Sequence, residues 1–99
     1  MTKSDRILVL LTDGELPIER WAGGCDSVTG VGTLEQVRAA RRRFSDVENA
    51  MFTPGSRDEI PWAEGRFSLI VDGTGAEPTG EMMRVLAAGG RVVCDPEAG

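Results

Sequence analysis

Short unbroken apolar runs alternate along this chain with polar segments, several of which carry helical spacing. Ile7-Leu8-Val9-Leu10-Leu11, Ser27-Val28-Thr29-Gly30-Val31, Val47 to Thr53, Phe67-Ser68-Leu69-Ile70-Val71 and Arg91-Val92-Val93-Cys94 read as five strands. The first, fourth and fifth show no polar alternation, which suits strands covered on both faces of a parallel sheet. From Leu34 to Phe44 the period changes: Leu34, Val37, Ala40 or Arg41, and Phe44 recur at intervals of three and four. That spacing predicts a helix with Leu34 on its packed face and Arg38, Arg41, Arg42 and Arg43 crowding the remaining surface.

The clearest unit runs from Arg66 to Asp95. Its two apolar runs flank a predicted helix over Thr79 to Ala88, with Thr79 as N-cap and an apolar stripe of Met82, Met83, Val85 and Leu86. Gly89 stands where a left-handed residue would end that helix. A strand, helix and strand in this order fold with a right-handed crossover. Earlier, the turn Thr12-Asp13-Gly14-Glu15 leads to a short helix with Pro17 in its first turn and Ile18 and Trp21 inward, closed by Gly23-Gly24. Pro54-Gly55 breaks the third strand. A polar connector from Ser56 to Gly65 follows, whose Ile60 and Trp62 are expected to cover the sheet edge. The series gives a three-layer α/β sandwich in a single minimal domain over residues 1–99, with no repeat or linker to divide it.

Composition narrows the function classes. The 99 residues carry 16 acidic and 11 basic side chains, a formal charge of −5, so general attraction to nucleic acid or anionic lipid is not expected. The arginines of the second helix have Glu35, Asp46 and Glu48 nearby and no interleaved aromatics, and they read as a solvated or protein-docking face. The chain has no histidine, which excludes a zinc site of the usual cysteine and histidine spacing and any nucleophile that needs imidazole as its base. Cys25 and Cys94 read as small apolar residues near strands. The polar opening residues lead into an apolar run of five, far short of a signal sequence or a membrane span, and a cytoplasmic location is expected.

In folds of this class, ligands use the crevice beyond the carboxyl ends of the strands. Here that rim comprises Thr12 to Glu15, Gly32 and Thr33, Gly55 and Ser56, and Asp72 to Gly75.

Five segments, in order, carry a family resemblance: Val28-Thr29-Gly30-Val31, Ala40-Arg41, Ile60-Pro61-Trp62, Phe67-Ser68-Leu69-Ile70-Val71, and Arg84-Val85-Leu86-Ala87-Ala88-Gly89-Gly90-Arg91-Val92-Val93. The chain resembles a class I S-adenosylmethionine-dependent methyltransferase of the small-molecule type, most specifically in the last segment. The resemblance implies a Rossmann-like methyltransferase fold with five mainly parallel strands in the order 3-2-1-4-5, truncated after strand 5. It also implies a cofactor at the rim, with Thr12, Gly14, Gly32, Ser56 and Trp62 as the candidate binding positions.

The chain departs from the family pattern at those same positions. Leu10 stands where the family has an acid after the first strand, one glycine (Gly14) remains of the glycine-rich turn, and Leu16 takes the last glycine position. Gly32 replaces the ribose-binding acid after the second strand, and Gly55-Ser56 replaces the acid that faces the adenine. On this pattern no cofactor is expected, and the chain reads as a non-catalytic assembly module with a degenerate site. The alternative is an S-adenosylmethionine-dependent methyltransferase, or an altered small-molecule enzyme, with a divergent site around Asp13, Glu15, Ser56 and Asp72. Asp72 is the catalytic candidate, and it also reads as a turn carboxylate. The expected partner is a second copy or a larger protein meeting a sheet edge, with the fifth-strand edge preferred; neither nucleic acid nor membrane is expected.

Overall fold

The computed structural model describes residues 3–12, 16–73 and 77–93. The strands are β1 (Arg6–Leu10), β2 (Ser27–Gly32), β3 (Ala50–Pro54), β4 (Phe67–Val71) and β5 (Leu86–Val93). The helices are α1 (Ile18–Ala22), α2 (Leu34–Arg43) and α3 (Gly80–Val85). The strands form one sheet in the order β3-β2-β1-β4-β5, and every pairing is parallel. All carboxyl ends therefore lie at one edge, which is the geometry that places the rim.

Side-chain alternation along β1 separates two cores. Ile7 and Val9 point to the face where Ile18 and Trp21 of α1 and Val37 and Ala40 of α2 pack. Leu8 and Leu10 point to the opposite face, against Ile60, Met82 and Val85. Each fully buried aliphatic side chain stabilises the fold by about 1.5–3 kcal/mol, and β1 carries three at 0% exposure, Ile7, Leu8 and Val9, which is why its run has no polar position.

Several boundaries differ from the sequence expectation. The last helix ends at Val85, before Ala88, because Leu86 turns extended (φ −80°, ψ 129°) and pairs with Phe67 at the start of β5. Gly89 does have positive φ (+81°), yet it lies within β5. There the register shifts between Phe67 and Leu69, so that Ala87 to Gly90 bulge opposite Ser68. A Cβ on Gly90 would come within 2.8 Å of the Ser68 carbonyl oxygen, so a glycine is required at that point. Leu34, expected on the packed face, is 50% exposed: it opens α2 beyond the sheet rim, and Val37 and Ala40 fill the core instead. Met83 is likewise exposed. The third strand starts at Ala50, since Val47 to Asn49 form a turn closed by Ala50 N–H to the Val47 carbonyl. Ile60 does not lie at a sheet edge; it is 1% exposed within the core over β1 and β4.

The expected caps are present. Thr79 Oγ1 accepts from Met82 N (3.1 Å), and Thr33 with Gln36 forms a reciprocal capping box at the start of α2.

Candidate functional site: the carboxyl rim of the sheet

The rim is built from the residues that leave each strand. Leu11 extends the β1 ladder by one bond, donating from its N–H to the Val31 carbonyl at 2.8 Å. Its side chain then lies over β2. A Cβ on Gly30 would meet Leu11 Cδ2 at 3.0 Å, and one on Gly32 would meet Leu11 Cβ at 2.9 Å. Thr12 follows at the mouth of a groove; Asp13, Gly14 and Glu15 lie outside the described residues.

At the end of β2, Thr33 N–H donates to Gln36 Oε1 (2.9 Å), while Gln36 N–H donates to Thr33 Oγ1 (3.2 Å). This bond turns the Gln36 amide back over Gly32, where an added Cβ would lie 2.5 Å from Oε1. The end of β2 is thus occupied from both sides, by Leu11 and by Gln36.

The end of β3 is also packed. A Cβ on Gly55 would come within 2.8 Å of the Glu59 carbonyl oxygen and of Val31 Cγ1. Ser56 and Glu59 form an antiparallel bridge, and Ser56 Oγ accepts from Asp58 N at 3.3 Å, so the Ser56 hydroxyl serves its own turn. At the end of β4, Asp72 is 2% exposed, and its N–H donates to the Val93 carbonyl. Asp72 Oδ2 lies 3.0 Å from Arg57 Nη2, and the same guanidinium nitrogen donates to the Glu77 carbonyl at 2.7 Å. The orientation at Asp72 Oδ2 is not that of an aligned hydrogen bond, so this contact is an ion pair governed by distance.

The connector carrying Arg57 is fastened to α3. Thr79 Oγ1 donates to the Arg57 carbonyl (2.6 Å), Ile60 N–H donates to Glu81 Oε2 (2.8 Å), and Arg84 Nη2 donates to the Ile60 carbonyl (2.9 Å). Bonds from the Arg84 guanidinium and the Ile60 N–H hold the Glu81 carboxyl down at about 2. On the other side of the sheet, a groove of about 440 Å³ opens at the rim between α1 and α2, with Leu11, Thr12, Leu16, Thr33 and Gln36 around its mouth.

A scan against protein-family models finds no match, and a search of curated proteins finds none. Solved structures do match. The YcgJ protein of Bacillus subtilis superposes with a TM-score of 0.75 at 20% identity, over 93% of this chain and 44% of that one. A candidate methyltransferase of Bacillus halodurans gives 0.78 at 17% identity, over 94% and 45%. An S-adenosylmethionine-dependent methyltransferase of Methanosarcina mazei gives 0.59 at 21% identity, over 73% and 38%. These matches decide the architecture. The fold is that of the class I methyltransferases. The chain spans less than half the length of each of these three proteins.

On the methyltransferase fold the sequence-derived candidates separate into groups. Thr12 and Gly32 lie at the carboxyl ends of β1 and β2, while Ser56 and Asp72 stand at the ends of β3 and β4, linked through Arg57. Asp13, Gly14 and Glu15 fall outside the described residues. Trp62 lines a hollow along β3 with Met51, Phe52 and Thr53. It packs edge to face on Phe67 (centroids 5.9 Å apart), and Phe67 opens β4 about 13 Å from that strand's carboxyl end. Arg66 lies over both rings.

The usual acidic contacts of a methyltransferase cofactor have no carboxylate at Gly32 or at Gly55-Ser56, and the space at Gly32 is taken by Leu11 and Gln36. At Gly32 an added Cβ would lie 2.5 Å from Gln36 Oε1 and 2.9 Å from Leu11 Cβ. No group of three or more residues able to hold a metal ion occurs among the described residues, and no described helix is long and apolar enough to cross a membrane.

Three rim residues were missed in the sequence reading. Gln36 had a local signal, since Thr33-x-x-Gln36 is a capping-box spacing. Leu11 and Arg57 had none, because their roles depend on which strand lies beside them.

Proposed function

We propose that the chain is a methyltransferase-type ligand-binding domain with a divergent site, taking S-adenosylmethionine or a related adenosine compound at the carboxyl ends of β1 and β2. The observation that carries this reading is the groove of about 440 Å³ opening there, at the end of the sheet where folds of this class take ligands and with a volume in the range of small-molecule sites. The Methanosarcina mazei protein's dependence on S-adenosylmethionine makes that compound the first to test. In this reading Thr12, Thr33 and Gln36 offer neutral hydrogen-bonding groups in place of the acid after β2. Neutral acceptors hold hydroxyls less strongly than a carboxylate does, so binding is weaker than in a site with that acid. Asp72, held by Arg57, with Asp13, Glu15 and Ser56, is the candidate set on the side of a methyl acceptor.

A second reading, an assembly module without a cofactor, is favoured by the way Leu11 and Gln36 fill the end of β2. The sheet edges support β5 as its docking strand. On β3, Ala50, Phe52 and Pro54 turn their backbone groups outward. Ala50 N–H is bonded to Val47, the Phe52 carbonyl accepts from Arg41 (2.8 Å), and Pro54 has no N–H, so this edge is blunted against strand addition. On β5, Val92 turns its backbone groups outward, while the neighbouring Arg91 and the short length of the strand restrain indiscriminate pairing. Calorimetric titration with S-adenosylmethionine, alongside light scattering, separates the two readings. Saturable binding in the micromolar to low millimolar range supports the first. A folded chain that takes up no ligand yet associates with rising concentration supports the second.

A further inference from the structure

Two exposed apolar side chains flank the β3 edge of the sheet. Arg41 Nη2 donates to the Phe52 carbonyl (2.8 Å), which turns one side of α2 toward this strand. Leu34 and Arg38 share that side of the helix, and Leu34 is 50% exposed. Met51, also 50% exposed, points to the opposite face of the sheet from its neighbour Phe52. A hollow of about 420 Å³ runs along the edge, lined by Arg41, Phe44, Met51, Phe52 and Trp62.

The helix α2 packs on one face of the sheet and the connector after β3 on the other. Both run back from the carboxyl rim, α2 exposing Arg38 and Arg42 and the connector exposing Glu59 and Glu64. Arg84 lies in the field of Glu64 but spends its bonds on Glu81 and the Ile60 carbonyl. The β3 edge thus has a basic flank on one face and an acidic flank on the other.

We infer that a second copy of this chain docks on this edge, side chain to side chain, about a two-fold axis running along β3. Such an axis exchanges the two faces of the sheet, so each copy's α2 meets the other's connector, Arg38 with Glu59 near the rim and Arg42 with Glu64 near the amino ends of the strands. Met51 and Trp62 of each copy then lie under the aliphatic stems of the other's arginines. An axis perpendicular to the sheet would set arginines against arginines. Backbone pairing is not the mode, because Pro54 and the bonds to the Ala50 N–H and the Phe52 carbonyl blunt the strand. The contact does not depend on the ligand groove, which opens on the other side of α2, toward α1.

Sedimentation velocity of the whole chain at rising concentration, up to about 1 mM, tests this, with a reversible dimer as the expected result. Arg42→Glu and Glu64→Arg, both at exposed positions, should each weaken it about tenfold, since each sets like charges together at two symmetry-related contacts. Mixed in equal amounts, the two variants should regain native association, because each altered charge then meets its opposite. Met51→Asp should weaken the dimer without rescue by either. If a variant fails to fold, the native chain still answers: amide shifts that move on dilution belong at residues 34–42, 51 and 62. A monomer at every concentration, variants that associate like the native chain, or a mixture no better than its components would overturn the inference. Dilution shifts confined to residues 91–93 would overturn it too, and would favour docking through β5 instead.

Discussion

Arg57 and Asp72 approach to 3.0 Å and join the connector after β3 to the end of β4. Asp72 is almost fully buried and Arg57 reaches solvent in part, so the carboxylate depends on the guanidinium more than the reverse. Removing Arg57 takes a cation at 3.0 Å away from a buried carboxylate. Arg57→Met is expected to lower stability by about 2–4 kcal/mol, somewhat under the range for fully buried pairs. The double variant Arg57→Met with Asp72→Asn should recover part of that loss. Urea denaturation of the four proteins in the cycle checks it; additive losses would mean the pair carries no coupling.

Restoring the family's acid after β2 should not rescue cofactor binding. Gly32→Asp places a Cβ 2.5 Å from Gln36 Oε1 and 2.9 Å from Leu11 Cβ, and the second contact is to a position the backbone fixes. The expected cost is about 1–3 kcal/mol of overpacking. Gln36→Ala relieves only the first contact, so Gly32→Asp on that background should remain destabilising by more than half of the original amount in thermal melts. A fully tolerated Gly32→Asp would mean that Leu11 is free to move off the site.

The Glu81 carboxyl gives a pH dependence with a definite sign. Its value in the folded chain is held at about 2 by Arg84 and the Ile60 N–H, below the ordinary glutamate value near 4.3. A depressed carboxyl contributes stability that is present above the unfolded value and is lost as pH falls through the folded one. Glu81→Gln should therefore flatten the decline in melting temperature between about pH 4.5 and pH 2, with the variant and wild type converging at the acid end. Parallel curves across that range would contradict the latch between the connector and α3.

The capping threonine of α3 has two tasks, accepting from Met82 N and donating to the Arg57 carbonyl. Thr79→Ala should cost about 1–2 kcal/mol, the upper part of the range for N-caps, whereas Thr79→Ser, which keeps both bonds, should cost less than half of that. Chemical denaturation distinguishes them.

The sheet was legible in the sequence because a strand buried on both faces must be apolar throughout, and Ile7 to Leu10 and Phe67 to Val71 have almost no polar position. The resemblance carried by Arg84 to Val93 then fixed the strand order. The end of α3 was not legible: Leu86 suits a helix stripe as well as a strand, and only its pairing with Phe67 turns the chain extended. Leu34 misled for a related reason, since helical spacing does not reveal that the first turn projects past the sheet. At the rim, the missing acids could be read directly from Gly32 and Gly55-Ser56. What takes their place could not, because Leu11 reaches β2 and Arg57 reaches β4 only once the strands are adjacent.

The most direct test of the divergent-site account is amide-resolved NMR of the whole chain titrated with S-adenosylmethionine. The account expects saturable shifts confined to Thr12, Leu16, Thr33, Gln36 and their neighbours at the carboxyl ends of β1 and β2. A folded protein whose spectrum does not change at millimolar S-adenosylmethionine, or changes only at the opposite end of the sheet, would contradict it.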